Sequence, residues 1–273
     1  MLPAAVHLSV DHYLRAADQA LPGRIGGFYL VGSVALGDFQ PGRSDIDFVA
    51  VLTQALDAAE LDRLRSLQRR LYLESLVVAV RDRRWPLVCN GAFVRQADLG
   101  RSPGQVVPVA SHVAGKFSLG RGFDTNPVTW LTLKRYGIAV RGPAPNELNV
   151  YHSDAELRKW TLGNLNSYWR QWAIGVQGLG PTAAKALLRR YVAWGVMGTS
   201  RMHYTIATGD ISSKVQATDY ALGLWPRWRS LLDEVRSYWL GTMRPPRISS
   251  PFRRRRETAE FVCDVINSAG AIS

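Results

Sequence analysis

Cysteine is scarce in this sequence of 273 residues, which contains only Cys89 and Cys263, far apart in the chain. Two separated cysteines provide neither the spacing of a metal site nor a disulfide framework, which fits a reducing compartment. No apolar run in the sequence approaches the roughly 18 residues needed to span a bilayer. Its amino terminus also lacks the basic segment followed by an apolar one that is typical of a signal peptide. We therefore expect a soluble, cytoplasmic protein with no membrane partner.

Acidic residues are also few, since 22 Asp and Glu face 34 Lys and Arg, for a net charge of +12. This imbalance favours anionic partners such as nucleotides, nucleic acid or an acidic surface, although an arginine excess is also typical of GC-rich genomes. A hydrophobic content of 47% indicates a globular protein, and the length favours two medium domains, which we expect to form a monomer.

The first 150 residues alternate between helical and strand-like patterns. Helical spacing of apolar residues predicts helices over residues 4–21 and 57–71, and branched or aromatic runs predict strands over 26–33, 44–52 and 72–80. This alternation predicts an α/β domain with a small mixed sheet. Residues 93–121 have no steady period and are interpreted as irregular.

The pattern becomes helical in the second half. Asn126 can cap a helix that starts at Pro127, residues 141–147 resemble a linker, and Ser153 with Glu156 forms a capping box. Further helices are predicted near Pro181, Ser213, Pro226 and Ser250. The sequence thus predicts an α+β protein with an α/β domain at residues 1–150 and a helical bundle at 151–273.

Two acids flank Ile46 at the start of the second predicted strand. Because successive strand side chains point to opposite faces, Asp45 and Asp47 share one face. Paired carboxylates oppose each other's ionisation unless a cation lies between them, and Mg²⁺ suits two oxygen ligands completed by water and phosphate. An isolated pair of this kind would more often be a solvated strand end.

A glycine turn precedes these acids. Gly32 and Ser33 follow the first strand where backbone amides can receive a phosphate, and the serine hydroxyl can donate to it. The combination of strand, Gly-Ser, short spacer and Asp-x-Asp strand resembles the nucleotidyltransferase superfamily that includes DNA polymerase beta. That resemblance implies that Asp45 and Asp47 hold Mg²⁺ against a nucleoside triphosphate whose outer phosphates lie at Gly32 and Ser33.

The segment "YLESLVVAVRDRRWP" adds Glu74, which interrupts an apolar run. Alone, Glu74 would be interpreted as one half of an ion pair with an arginine. Together with "WLTLKRYGIAVRGPAPNEL", however, the segment resembles the streptomycin and spectinomycin adenylyltransferases of the 3''-(9) class. The resemblance implies that Glu74 is a third metal ligand and the general base that activates an antibiotic hydroxyl.

The same resemblance extends to the second domain, in "TSRMHYTIATGDISSK" and "EVRSYWLG". It implies that Arg201 and Lys214 contact the phosphates of ATP and that Tyr238 flanks the nucleotide, with the active site in a cleft between the domains. Ordinary surface charge is the alternative for the two cations.

The substrate side of the resemblance is weaker. Relatives place acids on a helix where this chain has Leu187 and Tyr191 with arginines beside them, so the drug is expected to be less cationic. Trp85 or Trp130 is a candidate for stacking on a sugar. Four acids are further candidates for substrate contacts, namely Asp124, Glu147, Asp154 and Glu156.

The preferred function is therefore Mg²⁺-dependent transfer of AMP from ATP to a hydroxyl of an aminoglycoside-like antibiotic, giving resistance. Two alternatives stay open: the same chemistry on a protein or tRNA acceptor, and a non-catalytic nucleic-acid binder. The arginine run 253–256 favours nucleic acid, but a solvated helix face is the better interpretation of that run.

Overall fold

The computed structural model describes residues 2–242, 248 and 250–272. The chain divides into two compact units, Met1–His152 and Ser153–Ser273. The first unit contains a mixed sheet with helices, and the second is helical, which confirms the predicted α+β class. Within the described residues, no helix combines the length and the apolar character that a membrane span requires.

Six strands form one sheet in the first unit. They are β1 (Ile25–Val31), β2 (Ile46–Leu52), β3 (Cys89–Arg95), β4 (Ala110–Val113), β5 (Lys116–Leu119) and β6 (Ile138–Arg141), in the order β5-β4-β3-β2-β1-β6. Strands β2 and β3 are parallel, and every other neighbouring pair is antiparallel. A parallel pair needs a long crossover connection, and a helix supplies it here.

Helices cover both faces of this sheet. They are α1 (Ala4–Ala20), the single turn α2 (Gly32–Ala35), α3 (Ala58–Arg81) and α4 (Pro127–Tyr136). Phe48 and Leu64 belong to a core that α1 and α3 form with one face, whereas Val49 and Trp130 belong to a core that α4 forms with the other. The alternation along β2 therefore divides its side chains between two separate cores.

The predicted strand at residues 72–80 is wrong, because these residues continue α3 to Arg81. The helix starts at a capping box in which the Asp57 carboxylate accepts from the Glu60 amide at 2.7 Å. Val77 and Val80 are largely exposed on its surface. A short apolar run is compatible with a strand or a helix, and no helix breaker separates this run from the preceding turns.

The region interpreted as irregular, residues 93–121, contains the rest of β3 and the hairpin of β4 and β5. Ala114 and Gly115 turn this hairpin with φ of 50° and 84°. Strand β6 was also missed, since its last residue was assigned to the linker. Strands of four residues show too little alternation to stand out from a loop.

The described residues of the second unit form seven α-helices: α5 (Asp154–Asn164), α6 (Arg170–Gln177), α7 (Pro181–Lys185), α8 (Arg189–Thr208), α9 (Lys214–Leu224), α10 (Arg229–Leu240) and α11 (Pro251–Ala271). A π-helical turn over residues 165–169 joins α5 to α6. The predicted cap at Ser153 is confirmed, because its hydroxyl accepts from the Glu156 amide. The helices predicted near Ser213 and Ser250 begin with the same kind of contact from a serine hydroxyl. Trp169 and Trp172 pack in the core of this unit.

Candidate active site

The two aspartates lie on the face of the sheet that α4 covers. Ile46 and Phe48 are fully buried in the opposite core, so Asp47 points away from α1 and α3. Asp45 immediately precedes β2, and both carboxylates are half-buried. This edge of β2 therefore presents two acids that solvent can still reach.

Gly32 lies directly against Asp47. It follows Val31, the antiparallel partner of Asp47 across β1 and β2, and has a φ of 59°. A Cβ atom added at Gly32 would lie only 2.2 Å from Asp47 Oδ2. Only glycine allows this backbone conformation and this close approach together. The turn after β1 and the aspartate of β2 thus form one local structure.

The next residue, Ser33, contributes a hydroxyl to the same place. Its Oγ is buried and has no hydrogen-bond partner among the described residues. A buried hydroxyl without a partner is costly, and such groups often mark the position of a ligand. Ser33 can therefore donate to an oxygen of a bound molecule beside Gly32.

The structure adds Asn90, which the sequence interpretation missed. In the parallel register of β2 and β3, Asn90 is the partner of Asp47. Its Nδ2 donates to Asp45 Oδ2 at 3.2 Å, and its Oδ1 accepts from the Ala114 amide at 2.9 Å. The amide therefore connects the hairpin turn to Asp45. The apolar run 87–94 after Pro86 was the available sequence signal for this strand.

Glu74 does not join the aspartates, which corrects the expectation that it is a metal ligand and the base. It lies on α3, on the opposite side of the sheet from Asp47. Its Oε2 is 2.9 Å from His12 Nε2, and its Oε1 is 3.7 Å from Arg70 Nε. The ion-pair interpretation of Glu74 is the correct one. Within residues 2–242, 248 and 250–272, no three acids, histidines or cysteines are grouped to hold a metal.

Two carboxylates still fit Mg²⁺. The ion usually keeps several waters and takes one or two protein carboxylates, with substrate phosphates completing its octahedron. Asp45 and Asp47 supply such oxygens beside Gly32, where a Cβ would fill the space. The side-chain Oδ1 of Asn90 already accepts a hydrogen bond from the Ala114 amide. Among the described residues, the site therefore offers two carboxylates, and not three grouped acids, to a cation.

Asp124 lies in the loop before α4. Ser111 pairs with Ala92 of the α4-side core, and its hydroxyl donates to the Arg121 carbonyl, which holds this loop over the α4 face of the sheet. Asp124 Oδ2 is buried and lacks a partner within the described chain. Burial raises the pKa of Asp124 to about 6. This carboxyl group can therefore exchange a proton near neutral pH.

The two tryptophan candidates have different environments. Trp130 is 1% exposed and belongs to the core beneath α4, so its proposed stacking on a substrate is wrong. Trp85 is 52% exposed and follows the end of α3. Of the other acids, Glu147 accepts from the Ala144 amide, whereas Asp154 and Glu156 lie in the first turn of α5.

The nucleotide residues predicted in the second unit lie near one another. Arg201 Nε donates to the Ser212 carbonyl at 3.0 Å, two residues before Lys214. Lys214 Nζ lies 3.9 Å from the centre of the Trp239 ring, next to Tyr238 in the chain. The predicted substrate residue Tyr191 instead packs on Trp172 and Trp194, and Leu187 is half-buried.

The arginine run 253–256 is occupied by contacts inside the second unit. Arg254 is buried and donates to Glu234 at 2.6 Å. Arg253 pairs with Glu257, Arg256 lies near Glu260, and Arg255 donates to the carbonyls of residues 177 and 178. The run is therefore part of the helix packing, and only some of it is the solvated face that was predicted.

Residues 12–97 match the family described as nucleotidyltransferase domain. The match covers Gly32, Ser33, both aspartates and Asn90, and it confirms the predicted class, a transferase enzyme. Comparison with curated proteins gave no match.

The fold is shared with a solved structure. Spectinomycin adenyltransferase AAD(9) from Enterococcus faecialis, solved with ATP and spectinomycin, is similar with a TM-score of 0.64 at 13% identity. The similarity covers 94% of this chain and 99% of that chain. It therefore extends beyond residues 12–97 into the helical unit, and it confirms the predicted resemblance at the level of the fold.

Proposed function

We propose that this nucleotidyltransferase moves AMP from ATP to a hydroxyl of an antibiotic-like small molecule, with Mg²⁺ as cofactor. The contact of Gly32 with Asp47 is the observation that carries the proposal. It places a glycine turn, an unpartnered serine hydroxyl and two carboxylates at one position. A site that binds a nucleoside triphosphate needs such a combination, in which carboxylates hold a divalent cation and a hydroxyl donates to a phosphate oxygen.

The chain's own residues have separate tasks in this proposal. Asp45 and Asp47 hold the cation, and Ser33 Oγ donates to a triphosphate oxygen beside Gly32. Bound Mg²⁺ would neutralise charge on the triphosphate. Asn90 orients Asp45 through its 3.2 Å hydrogen bond. Because an amide does not accept a proton at neutral pH, Asn90 is a positioning residue and not the base.

The transfer step requires a proton acceptor. The acceptor oxygen bonds to the α-phosphorus, the bond from that phosphorus to the leaving oxygen breaks, and pyrophosphate departs. We assign the hydroxyl proton to Asp124, whose buried Oδ2 has no partner within the described residues and whose loop lies over the aspartate side of the sheet. A carboxylate with a pKa of about 6 is suited to this task at neutral pH.

The fold of spectinomycin adenyltransferase AAD(9) supports an antibiotic-like acceptor and ATP as donor, since that protein was solved with both ligands. Arg201, Lys214 and Tyr238 stay the predicted nucleotide contacts of the helical unit. Around Tyr191 this unit presents arginines, of which Arg189 pairs with Glu234 at 3.4 Å. The acceptor is therefore expected to carry fewer cationic groups than streptomycin, and its modification would confer resistance.

Pyrophosphate release tests the proposal. The protein is incubated with Mg²⁺, each nucleoside triphosphate in turn, and a panel of aminocyclitols, aminoglycosides and neutral hydroxylated antibiotics. Release that requires ATP, Mg²⁺ and one drug, with a mass increase of one AMP on that drug, supports it. Label from ATP on a protein or tRNA, and none on any drug, would instead select the macromolecular acceptor.

A further inference from the structure

A cavity of about 330 Å³ lies in the first unit, on the side of the sheet opposite the aspartates. Helices α1 and α3 form one wall, and Cys89 and His112 form part of the other. Cys89 is the partner of Ile46, and His112 pairs with Gly91, the partner of Phe48. Both side chains therefore project away from the face that carries Asp47, so the cavity is separate from the proposed nucleotide site.

His112 is the polar group that makes this cavity unusual. The residue is 2% exposed, and its Nδ1 lies 3.1 Å from the Cys89 carbonyl. Because a carbonyl only accepts, Nδ1 carries the proton and Nε2 presents a lone pair. Among the described residues Nε2 has no hydrogen-bond partner. A buried acceptor without a donor is costly, and a ligand or a water in the cavity would satisfy it.

The charge state of His112 determines what it can bind. Burial lowers the pKa of His112, and the Cys89 carbonyl opposes this change only in part. Tyr72 and His112 make an edge contact with ring centres 6.0 Å apart. Burial also raises the pKa of the Cys89 thiol to about 12, so no charge arises there at neutral pH. The Cys89 thiol beside His112 is thus neutral, and the imidazole acts as an acceptor.

The rest of the lining is mainly apolar, with Leu8, Leu71 and Val78 among its residues. The Tyr13 hydroxyl already accepts from Gln68 Nε2 at 2.5 Å. His12 and Glu74 form their pair with side chains 56% and 46% exposed, so solvent reaches this edge of the cavity. An entering molecule would find an apolar interior with one buried acceptor.

We propose that this cavity binds a small apolar ring compound that donates one N–H or O–H hydrogen bond to His112 Nε2. A cavity of roughly 150 Å³ lined by apolar side chains holds benzene. The present volume of about 330 Å³ therefore accommodates a bicyclic ring. Charged or polyhydroxylated molecules, such as the proposed drug substrate, would lose hydration without compensation here.

Indole and indene provide a matched test on the full-length protein. They have nearly the same shape, but only indole has an N–H donor. Calorimetric titration should show saturable binding of indole at least about tenfold tighter than indene, the value of one hydrogen bond to an otherwise unsatisfied group. Equal affinities, or no saturable binding of either compound, would overturn the proposal.

His112→Phe keeps an aromatic ring and removes the hydrogen-bond acceptor. The affinities of this variant for indole and indene should differ by no more than about twofold. A second measurement uses the wild-type protein, so it does not depend on whether the variant folds. The imidazole nitrogen resonances of His112 report directly on Nε2, whose signal should move upfield on indole addition and stay in place on indene addition. An Nε2 signal that does not move on indole addition would refute the hydrogen bond from indole to His112.

Discussion

The two faces of the amino-terminal sheet have very different polar chemistry. On the α4 side, Asp47 lies against the glycine turn at Gly32, and Asp45 accepts a hydrogen bond from Asn90. On the side of α1 and α3, Glu74 pairs with His12 at the solvent edge, and His112 lies beneath it in an apolar cavity. The acids of one face thus lie beside a glycine turn, whereas the acid of the other face forms a surface ion pair.

The difference shows that the position of an acid in the fold decides its use. Asp47 is held by a strand whose neighbours on both sides supply Val31 and Asn90 as its partners. Glu74 projects from a helix that needs only one apolar face for packing. Its exposed pair with His12 is worth little stability and is easily replaced.

The largest expected effect comes from exchanging one acid on each face. Asp47→Asn should lower transfer activity by about 10³-fold, because it removes a charged group that stabilises the triphosphate. Glu74→Gln, the matched variant on the other face, should keep activity within about threefold. Initial rates of pyrophosphate release measure both. Comparable losses in the two variants would show that Glu74 does act in the site.

Gly32→Ala should be next in size, with a loss of about 10²-fold in activity, since the added Cβ would displace Asp47. Gly37→Ala is its control. Gly37 also has a positive φ, of 67°, but nothing lies within 4 Å of an added Cβ. Both variants should lose about 1 to 2 kcal/mol of folding free energy from backbone strain. Equal activities of the two variants would contradict the contact with Asp47.

Asp124 gives a pH-dependent prediction. Its pKa is raised by burial from 3.8 to about 6, so the folded state retains the proton more strongly than the unfolded chain. The resulting penalty is absent below about pH 4, grows between pH 4 and 6, and is constant above that range, at about 2 to 3 kcal/mol.

Asp124→Asn removes this penalty, so the variant should exceed the wild type in stability at pH 7.5 and approach it at pH 4. Urea unfolding at several pH values measures the difference. The same variant should lose transfer activity together with the acidic limb of the pH profile. A stability difference that is independent of pH would refute the raised pKa, and an unchanged profile would refute the role as base.

Asn90→Asp has the smallest expected effect on folding. A third carboxylate beside Asp45 should cost about 1 kcal/mol without metal, because like charges repel at this distance. Mg²⁺ should recover that loss and raise the melting temperature of the variant more than that of the wild type. Thermal unfolding with Mg²⁺ or with EDTA measures the effect. Identical shifts for both proteins would place Asn90 outside the metal site.

Much of the site could be predicted because its signals are local. Gly32 and Ser33 follow a strand directly, and Asp45 and Asp47 alternate around Ile46, so a short segment contains both the turn and the shared face. The helix caps at Asn126 and Ser153 were equally local. Glu74 was misplaced because an apolar run of this length fits either a strand or the end of a long helix.

The sequence by itself determined the order of helices and strands near the aspartates and the glycine that approaches them, since periodicity and turn chemistry act over a few residues. Only the tertiary structure decided which strand lies next to β2. That pairing brings Asn90 beside Asp47 and places Glu74 and His112 behind the sheet. Strand register depends on contacts between residues far apart in the chain, and no local pattern records it.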